Sequence, residues 1–554
     1  MVVVPMSAAL QAGLVIVVLA AVHVPLGNYL ARVFTDPHHS RLERFMYRLI
    51  GVDPDGDQRW RHYLGALLGF SAVGVLVLYA LLRVQDQLPL ALGHPAVPPG
   101  LAFNTAVSFT TNTSWQSYAG ESTLGHVAQM AGLGTQAFLS AAVGLAAGIA
   151  LIRGLARRET DQIGNFWVDL IRGTLRVLLP LSVLFAVLLC GLGVIQSLHG
   201  AQLVTTLGGG HQSLPGGPVA SWEPIKLMGG DGGGFFNANS AHPFENPGPV
   251  SNVVEIILML LIPSALPRTF GRMVGDHRQG WALAAVVAVL LVGGIALATA
   301  AQAAHHDPAP LAAGAAAEGT EVRFGPVGAA TFGAAATGSA DGAANASYDS
   351  FTSLGAGLLL ANIMLGEVSP GGVGSGLYGL IIAALVAVFL GGLMVGRTPE
   401  YLGKRIGPRE IKLVSLYLLA TPTAVLAATG LALALPAGLS AIANPGPHGL
   451  SEVLYAFTSA GNSNGSALAG LSTNTNFYNP LLGLVMLLGR YLPMVFIITL
   501  AGSLARQRPT TITAGTLPTH RPLFVGLVLT VVLLITGLTY LPALALGPLA
   551  EGLH

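Results

Sequence analysis

The sequence predicts an all-α integral membrane protein. Ten transmembrane helices are expected, eight of them paired into four pseudo-fourfold-related helix–pore loop–helix repeats around one axis, with one further helix at each end. Three observations predict this. Ten apolar runs are each long enough to cross a ~30 Å hydrocarbon core. Basic residues fall almost entirely in alternate connections between those runs. The remaining connections repeat one composition, rich in Gly, Asn, Ser and Thr, four times over.

The 554 residues are 52% hydrophobic and only 9% charged, whereas a soluble domain carries about 25% charged residues. A net charge of +1 without a basic tract offers nothing to nucleic acid. The single cysteine, Cys190, excludes intrachain disulfides and cysteine-rich metal sites. Its setting, LSVLFAVLLC, reads as that of a buried small hydrophobe.

The apolar runs lie near 8–31, 63–84, 127–152, 174–196, 250–268, 281–303, 351–396, 413–436, 479–503 and 523–546. No Lys or Arg precedes the first run, so it lacks the basic start of a cleaved signal peptide and reads as an uncleaved span beginning outside. The seventh run is too long for one crossing. Its 45 or so residues would stretch ~68 Å as continuous helix, so a break is expected, and the glycine-rich 366–376 supplies it.

With the N-terminus outside, the inside connections are 32–62, 153–176, 268–280, 397–412 and 504–522, and they hold 22 of the 26 basic residues. That asymmetry is what the positive-inside rule requires. It puts both termini outside. The exceptions are Arg83, Lys226, Arg323 and Arg490.

Spans two to nine then form four pairs, each bracketing an outside segment: 99–126, 218–249, 323–350 and 450–478. The whole chain, 1–554, is one membrane domain. Residues 1–62 are the first span and its inside loop, and 63–153, 173–272, 281–397 and 413–506 are the repeats. Residues 523–554 carry the last span. Repeats in a single orientation suggest a ring about an axis along the membrane normal.

Each outside segment opens with a helix-compatible stretch and breaks down into small and amide residues, as in "MGGDGGGFFNANSAHPFENP" at 228–247. Non-helical backbone at membrane depth is tolerated only where protein buries it or it lines a wet cavity. A ring of such loops aiming carbonyl oxygens at an axis replaces the water shell of a monovalent cation. Glycine permits the positive-φ turns this needs, and the C-terminal ends of the short helices add partial negative charge. A phosphate cradle is a poor alternative, since no GxxxxGK[ST] occurs and the loops face outside.

Five pieces resemble one family: "TNTSWQSYAGE", "GGGFFNANSAHPFENP", "GEVSPGGVGSGLYG", "GRTPEYLGKRIGPREIKL" and "EVLYAFTSAGNSNGSALAGL". This is the potassium-binding subunit (KdpA) of bacterial ATP-driven potassium uptake complexes. The long strings separate it from the Trk and Ktr potassium transporters, which share the fourfold plan. The resemblance implies a potassium filter at Asn112, Thr113 and Ser114, then Gly230, Asp231 and Gly232, then Ala340, Asp341 and Gly342, then Ser463, Asn464 and Gly465. The family pattern would have Asn at 114, Thr-Asn at 230–231 and Ser-Cys at 340–341. Asp231 and Asp341 either add negative charge near the mouth or face away and accept backbone N–H bonds.

Within the third repeat, GGVGSG at 371–376 competes with 340–342 for the filter. Distance to the inside boundary decides. The first, second and fourth loops stand 36–41 residues before their inside arginines, and Gly374 stands only 23 before Arg397, leaving no room for a span. Gly342 stands 55 before it, so 366–376 interrupts the seventh span instead.

Arg490, inside the ninth span, is a functional candidate by default. It either repels ions descending the axis or pairs with a carboxylate to hold helices. The resemblance implies that Glu367 and Gln116 belong to a lateral ion route, with Arg397 at its inside end, though Arg397 fits an ordinary positive-inside anchor equally. His242 and Glu245 in HPFENP read as a structural turn, and His305 and His306 have no assigned role.

The expectation is a non-hydrolytic subunit of a P-type potassium-transporting ATPase in the bacterial inner membrane. Potassium is the transported ion, and this chain has neither a P-loop nor a DKTG motif, so no nucleotide site is expected in it. The resemblance implies a P-type ATPase catalytic subunit, a single-span subunit and a small membrane subunit as partners. The alternatives are a stand-alone Trk/Ktr-like channel or symporter, a secondary transporter with inverted repeats, and a scaffold without transport.

Overall fold

The computed structural model describes residues 6–303, 317–394, 396, 398–508 and 517–552. Arg397, His305 and His306 lie outside the described residues. Helix α1 (Met6–Thr35) leads to a short amphipathic α2 (Arg41–Leu49). The first repeat follows as α3 (Trp60–Arg83), α4 (Pro99–Thr110) and α5 (Ala128–Ala156). The second is α6 (Phe166–Gly191), α7 (Val219–Gly229) and α8 (Pro249–Met273). The third is α9 (His277–Ala303), α10 (Gly325–Gly338), α11 (Ser353–Met364) and α12 (Ser375–Met394). The fourth is α13 (Pro408–Ala434), α14 (Pro447–Asn462) and α15 (Tyr478–Ala505), and α16 (Pro522–Leu546) and α17 (Pro548–Gly552) close the chain.

Four times, a span is followed by a short helix of 11–16 residues, a loop and a second span. Proline in the first turn starts three of these short helices, at Pro99, Pro326 and Pro447, where its missing N–H has no intrahelical acceptor to lose. The two spans of each repeat differ in burial. The second spans (α5, α8, α12, α15) are 56–83% buried, whereas the first (α3, α6, α9, α13) are 17–50% buried. The second spans therefore build the inner wall and the first face the lipid side. Helices α1 and α16 are 28% buried and pack on the rim, α1 through His23 Nδ1 on the Ser264 carbonyl at 2.7 Å.

The long seventh run is broken between Met364 and Ser375. Gly366, Gly371 and Gly374 there take left-handed φ values of 79°, 83° and 91°. A Cβ on Gly374 would overlap the carbonyl of Gly144 in α5, so the break is seated directly on the inner wall.

Cys190 departs from expectation: it lies on the exposed face of α6. Around Cys190, from Leu179 to Gly191, the span is apolar on every side, so hydropathy does not say which side meets lipid.

The expected inside face is tied by specific pairs rather than by loose anchoring charges. Arg153 grips Asp169 in bidentate fashion at 2.5 and 2.8 Å, and Tyr63 donates to the same carboxylate at 2.9 Å. Arg176 holds Glu43 at 2.5 Å and Asp36 at 2.8 Å, docking α2. Ser40 and Glu43 form a capping box that starts α2. Gln58–Arg59 pairs antiparallel with Gln162–Gly164, and a hairpin, Gln202–Thr205 with His211–Leu214, stands exposed in the connection before α7.

Candidate ion filter

The four short helices end at Thr110, Gly229, Gly338 and Asn462. All four loops leave by the same turn. Asn112, Gly230, Ala340 and Ser463 are left-handed, with φ of 61°, 60°, 58° and 63°. The next residue in each loop returns its N–H to the carbonyl five residues back. These bonds are Thr113 to Ser108 (2.9 Å), Asp231 to Lys226 (3.3 Å), Asp341 to Ala336 (3.0 Å) and Asn464 to Ser459 (2.9 Å). This is the Schellman exit, in which a left-handed residue satisfies the last helical carbonyls. Ser114, Gly232 and Gly465, two positions on, are left-handed again at 50°, 65° and 100°. Alternating handedness turns successive backbone groups toward one side, instead of the alternation of an extended strand.

The loops close on one another. Asn112 Nδ2 donates to the Gly230 carbonyl at 2.8 Å, joining the first loop to the second. A Cβ on Gly232 would stand 2.6 Å from Ala343 N and closer still to Gly342, in the third loop. A Cβ on Gly342 would stand 2.6 Å from the Asn464 carbonyl of the fourth, and one on Gly465 would overlap the Thr113 carbonyl of the first. Eleven of the twelve residues are buried and Gly465 is half-buried. Above them opens a cavity of about 730 Å³ bordered by Ser114, Gln116, Gly233, Gly342 and Gly465, so every loop contributes to its floor.

Of the middle side chains, Asn464 and Asp341 hold backbone, while Thr113 and Asp231 meet hydroxyls. Asn464 Nδ2 donates to the Asp341 carbonyl at 3.2 Å, and Ser140 steadies Asn112 Oδ1 at 2.9 Å. Asp341 accepts from Ala343 N at 2.9 Å, and Asp231 accepts from the Ser114 hydroxyl at 3.2 Å. Both carboxylates are fully buried and neither borders the cavity above the ring.

The remaining candidates separate. Gln116 borders the cavity above the ring, its Oε1 accepting from Gly234 N at 2.9 Å. The structure does not bring it together with Glu367, which lies buried in the break of the seventh run with φ 51°, beside Asn464. Arg490 is buried on α15 and donates to the Ser140 carbonyl at 3.3 Å. Among the described residues it forms no contact ion pair, although its charge acts on the Asp231 and Glu367 carboxyls. Beside the break, a cavity of about 120 Å³ is lined by Gly366, Val368, Tyr417, Thr421, Asn462 and Thr536.

Four Schellman exits closing into one ring are the architecture expected of a fourfold cation filter, and the family model for KdpA, the potassium-transporting ATPase A subunit, matches residues 13–553. The chain belongs to the KdpA family. A potassium-transporting ATPase potassium-binding subunit from Clavibacter michiganensis is 58% identical over 550 residues, 98% of each chain. The subunit of the same name from Kineococcus radiotolerans is 58% identical over 544 residues, again 98% of each. That of Mycolicibacterium smegmatis is 57% identical over 537 residues, 96% of each.

Sequence reasoning missed what supports the second loop of this KdpA chain. Lys226 is wholly buried in α7, paired with Glu223 at 3.1 Å and Glu245 at 3.0 Å, and bonded to Asn239 Oδ1 at 2.9 Å. Glu245 also accepts from Phe236 N at 2.8 Å, and Asn239 Nδ2 bonds the Gly233 carbonyl. The string FFNANSAHPFENP is therefore a scaffold fastening the loop to its helix, with His242 stacked on Phe236 at 3.8 Å. Arg323 donates to the carbonyls of Ala241 and Asn246, pinning it from the third repeat. The readable signal was Glu223 and Lys226, three apart in an apolar helix, with a third charge in a proline-flanked turn.

Proposed function

We propose that residues 112–114, 230–232, 340–342 and 463–465 form the potassium filter of this subunit, open to the periplasmic side of the bacterial inner membrane. A potassium ion would lose its water in the outer cavity and be held by backbone carbonyls from four loops. The observation that carries this reading is the shared exit turn, four left-handed residues within five degrees of one another.

Below the filter, the Arg490 guanidinium opposes direct descent. Glu367, in the break, offers carboxyl oxygens to one side. An ion deflected there meets the cavity lined by Thr421 and Thr536, a route toward a partner rather than the cytoplasm. A filter selects but does not concentrate, so a P-type ATPase catalytic subunit would supply the hydrolysis, in a complex that also holds the single-span and small membrane subunits. Both chain ends are assigned to the periplasmic side on the asymmetry of basic residues.

The test is growth on micromolar potassium of cells lacking other high-affinity importers, with this chain expressed beside its ATPase partners. Wild type should restore growth, and Gly232→Asp should demand far more potassium at equal expression. Unchanged growth with Gly232→Asp would remove 230–232 from the filter.

A further inference from the structure

Behind the outer cavity, three separate parts of the chain bring their chemistry to one point. Asp349 follows the third loop, His448 and Glu452 lie one turn apart on α14, and Glu551 comes from α17 at the chain's end. His448 Nε2 faces Asp349 Oδ1 at 3.1 Å and Glu452 Oε1 at 4.0 Å, and ligand atoms of the three lie within 4.8 Å of one another. Ligands placed ~2.0–2.2 Å from a zinc-sized ion stand at such separations.

Two further observations point to a ligand. Glu452 is wholly buried, and although Oε1 accepts from Asn444 Nδ2 at 2.6 Å, Oε2 has no hydrogen-bond partner. On the far side of the ring, His448 Nδ1 meets Glu551 Oε1 at 2.9 Å. A carboxylate on one imidazole nitrogen fixes the tautomer that turns the other nitrogen's lone pair to a metal.

We infer that Asp349, His448 and Glu452 form a site for a first-row divalent transition cation such as zinc, with Glu551 orienting the histidine. One imidazole and two carboxylates suit such an ion better than calcium or magnesium, which take oxygen ligands. The bound ion would clasp the fourth short helix to the segment after the third loop, with the C-terminal helix joined through the Glu551 contact to His448. Tyr348, next to Asp349, borders the outer cavity, so the clasp stiffens the wall of the ion entrance. Binding displaces a proton from the ring, so affinity falls as pH falls.

The test uses the assembled complex carrying a histidine-free tag, stripped with chelator, equilibrated with micromolar zinc, desalted and assayed by elemental mass spectrometry. Wild type should retain one equivalent that His448→Ala and Glu452→Gln lose. Glu551→Gln should weaken binding about 10–100-fold, as loss of an orienting partner does. Cobalt should give a ligand-field absorption band that zinc abolishes. If His448→Ala fails to assemble, Asp349→Asn and the wild-type cobalt spectrum decide. No retained zinc in wild type, equal retention in the variants, or no cobalt band would each overturn the site and leave a protonated histidine bridging carboxylates.

Discussion

Gly230 and Gly232 separate backbone conformation from loop-to-loop contact, because both are left-handed and only one is crowded. Their φ values are 60° and 65°. A methyl on Gly230 finds its nearest neighbour, the Ser339 carbonyl, at 3.4 Å, which is ordinary contact. A methyl on Gly232 would lie 2.6 Å from Ala343 N, so the third loop must retreat by about 0.8 Å there, and further at Gly342. The left-handed conformation costs an L-residue about 1–2 kcal/mol, and forcing an extra methyl into packed backbone costs about 1–3 kcal/mol more. Gly230→Ala should therefore carry only the first term and Gly232→Ala both. If about 2 kcal/mol of the second term appears in ion binding, potassium affinity falls about 30-fold. The assay is potassium-stimulated ATP hydrolysis by the assembled complex, titrated for half-maximal potassium. Equal shifts for the two variants, or less than a twofold shift for Gly232→Ala, would refute the ring contact.

Lys226→Met removes the cation from a buried cluster and leaves Glu223 and Glu245 uncompensated, an event that costs about 3–5 kcal/mol. The thermal midpoint of the complex should drop sharply, and an unchanged midpoint would mean the cluster does not hold the loop. Arg490→Gln should admit passive rubidium flux into vesicles without ATP. A unit charge ~8 Å from an ion at an effective dielectric of ~20 raises its energy by about 2 kcal/mol, so removing it should speed leak by tens-fold. The α2 contact should be acid-sensitive. Desolvation pushes the Glu43 carboxyl up, but Arg176 and the Ser40 N–H outweigh it and hold it below its usual range. The His38 N–H and Arg176 hold Asp36 low as well. Depressed carboxyls stabilise above their unfolded value and lose that contribution as pH falls through the folded one. Proteolysis between 36 and 49 should therefore rise only below about pH 4, the ordinary carboxylate range.

Much of this was legible because membrane physics is coarse. Length and hydropathy locate the spans, and the same arithmetic demands the break at 366–376. Glycine and amide clusters mark the loops, and their spacing from the inside arginines picks 340–342 over 371–376. Burial was not legible. Helices apolar on every side carry no periodic signal, so Cys190 was expected inside and is exposed. Backbone acceptance was one of two readings open for Asp341, and the structure has it; sequence did not show that Asp231 faces the Ser114 hydroxyl of the first loop or that Gln116 meets Gly234 N of the second. Those depend on which loop lies next to which. The Lys226 cluster escaped because its three charges lie on a helix and on a turn that meet only once the second loop has folded back.

Backbone carbonyls from four loops are proposed to hold one ion. Crystals of the assembled complex grown with rubidium in place of potassium, measured at the rubidium edge, address it directly. An anomalous peak is expected on the axis, touching carbonyl oxygens from residues 112–114, 230–232, 340–342 and 463–465. A peak beside the Asp231 or Asp341 carboxylate instead, with none on the axis, would contradict it.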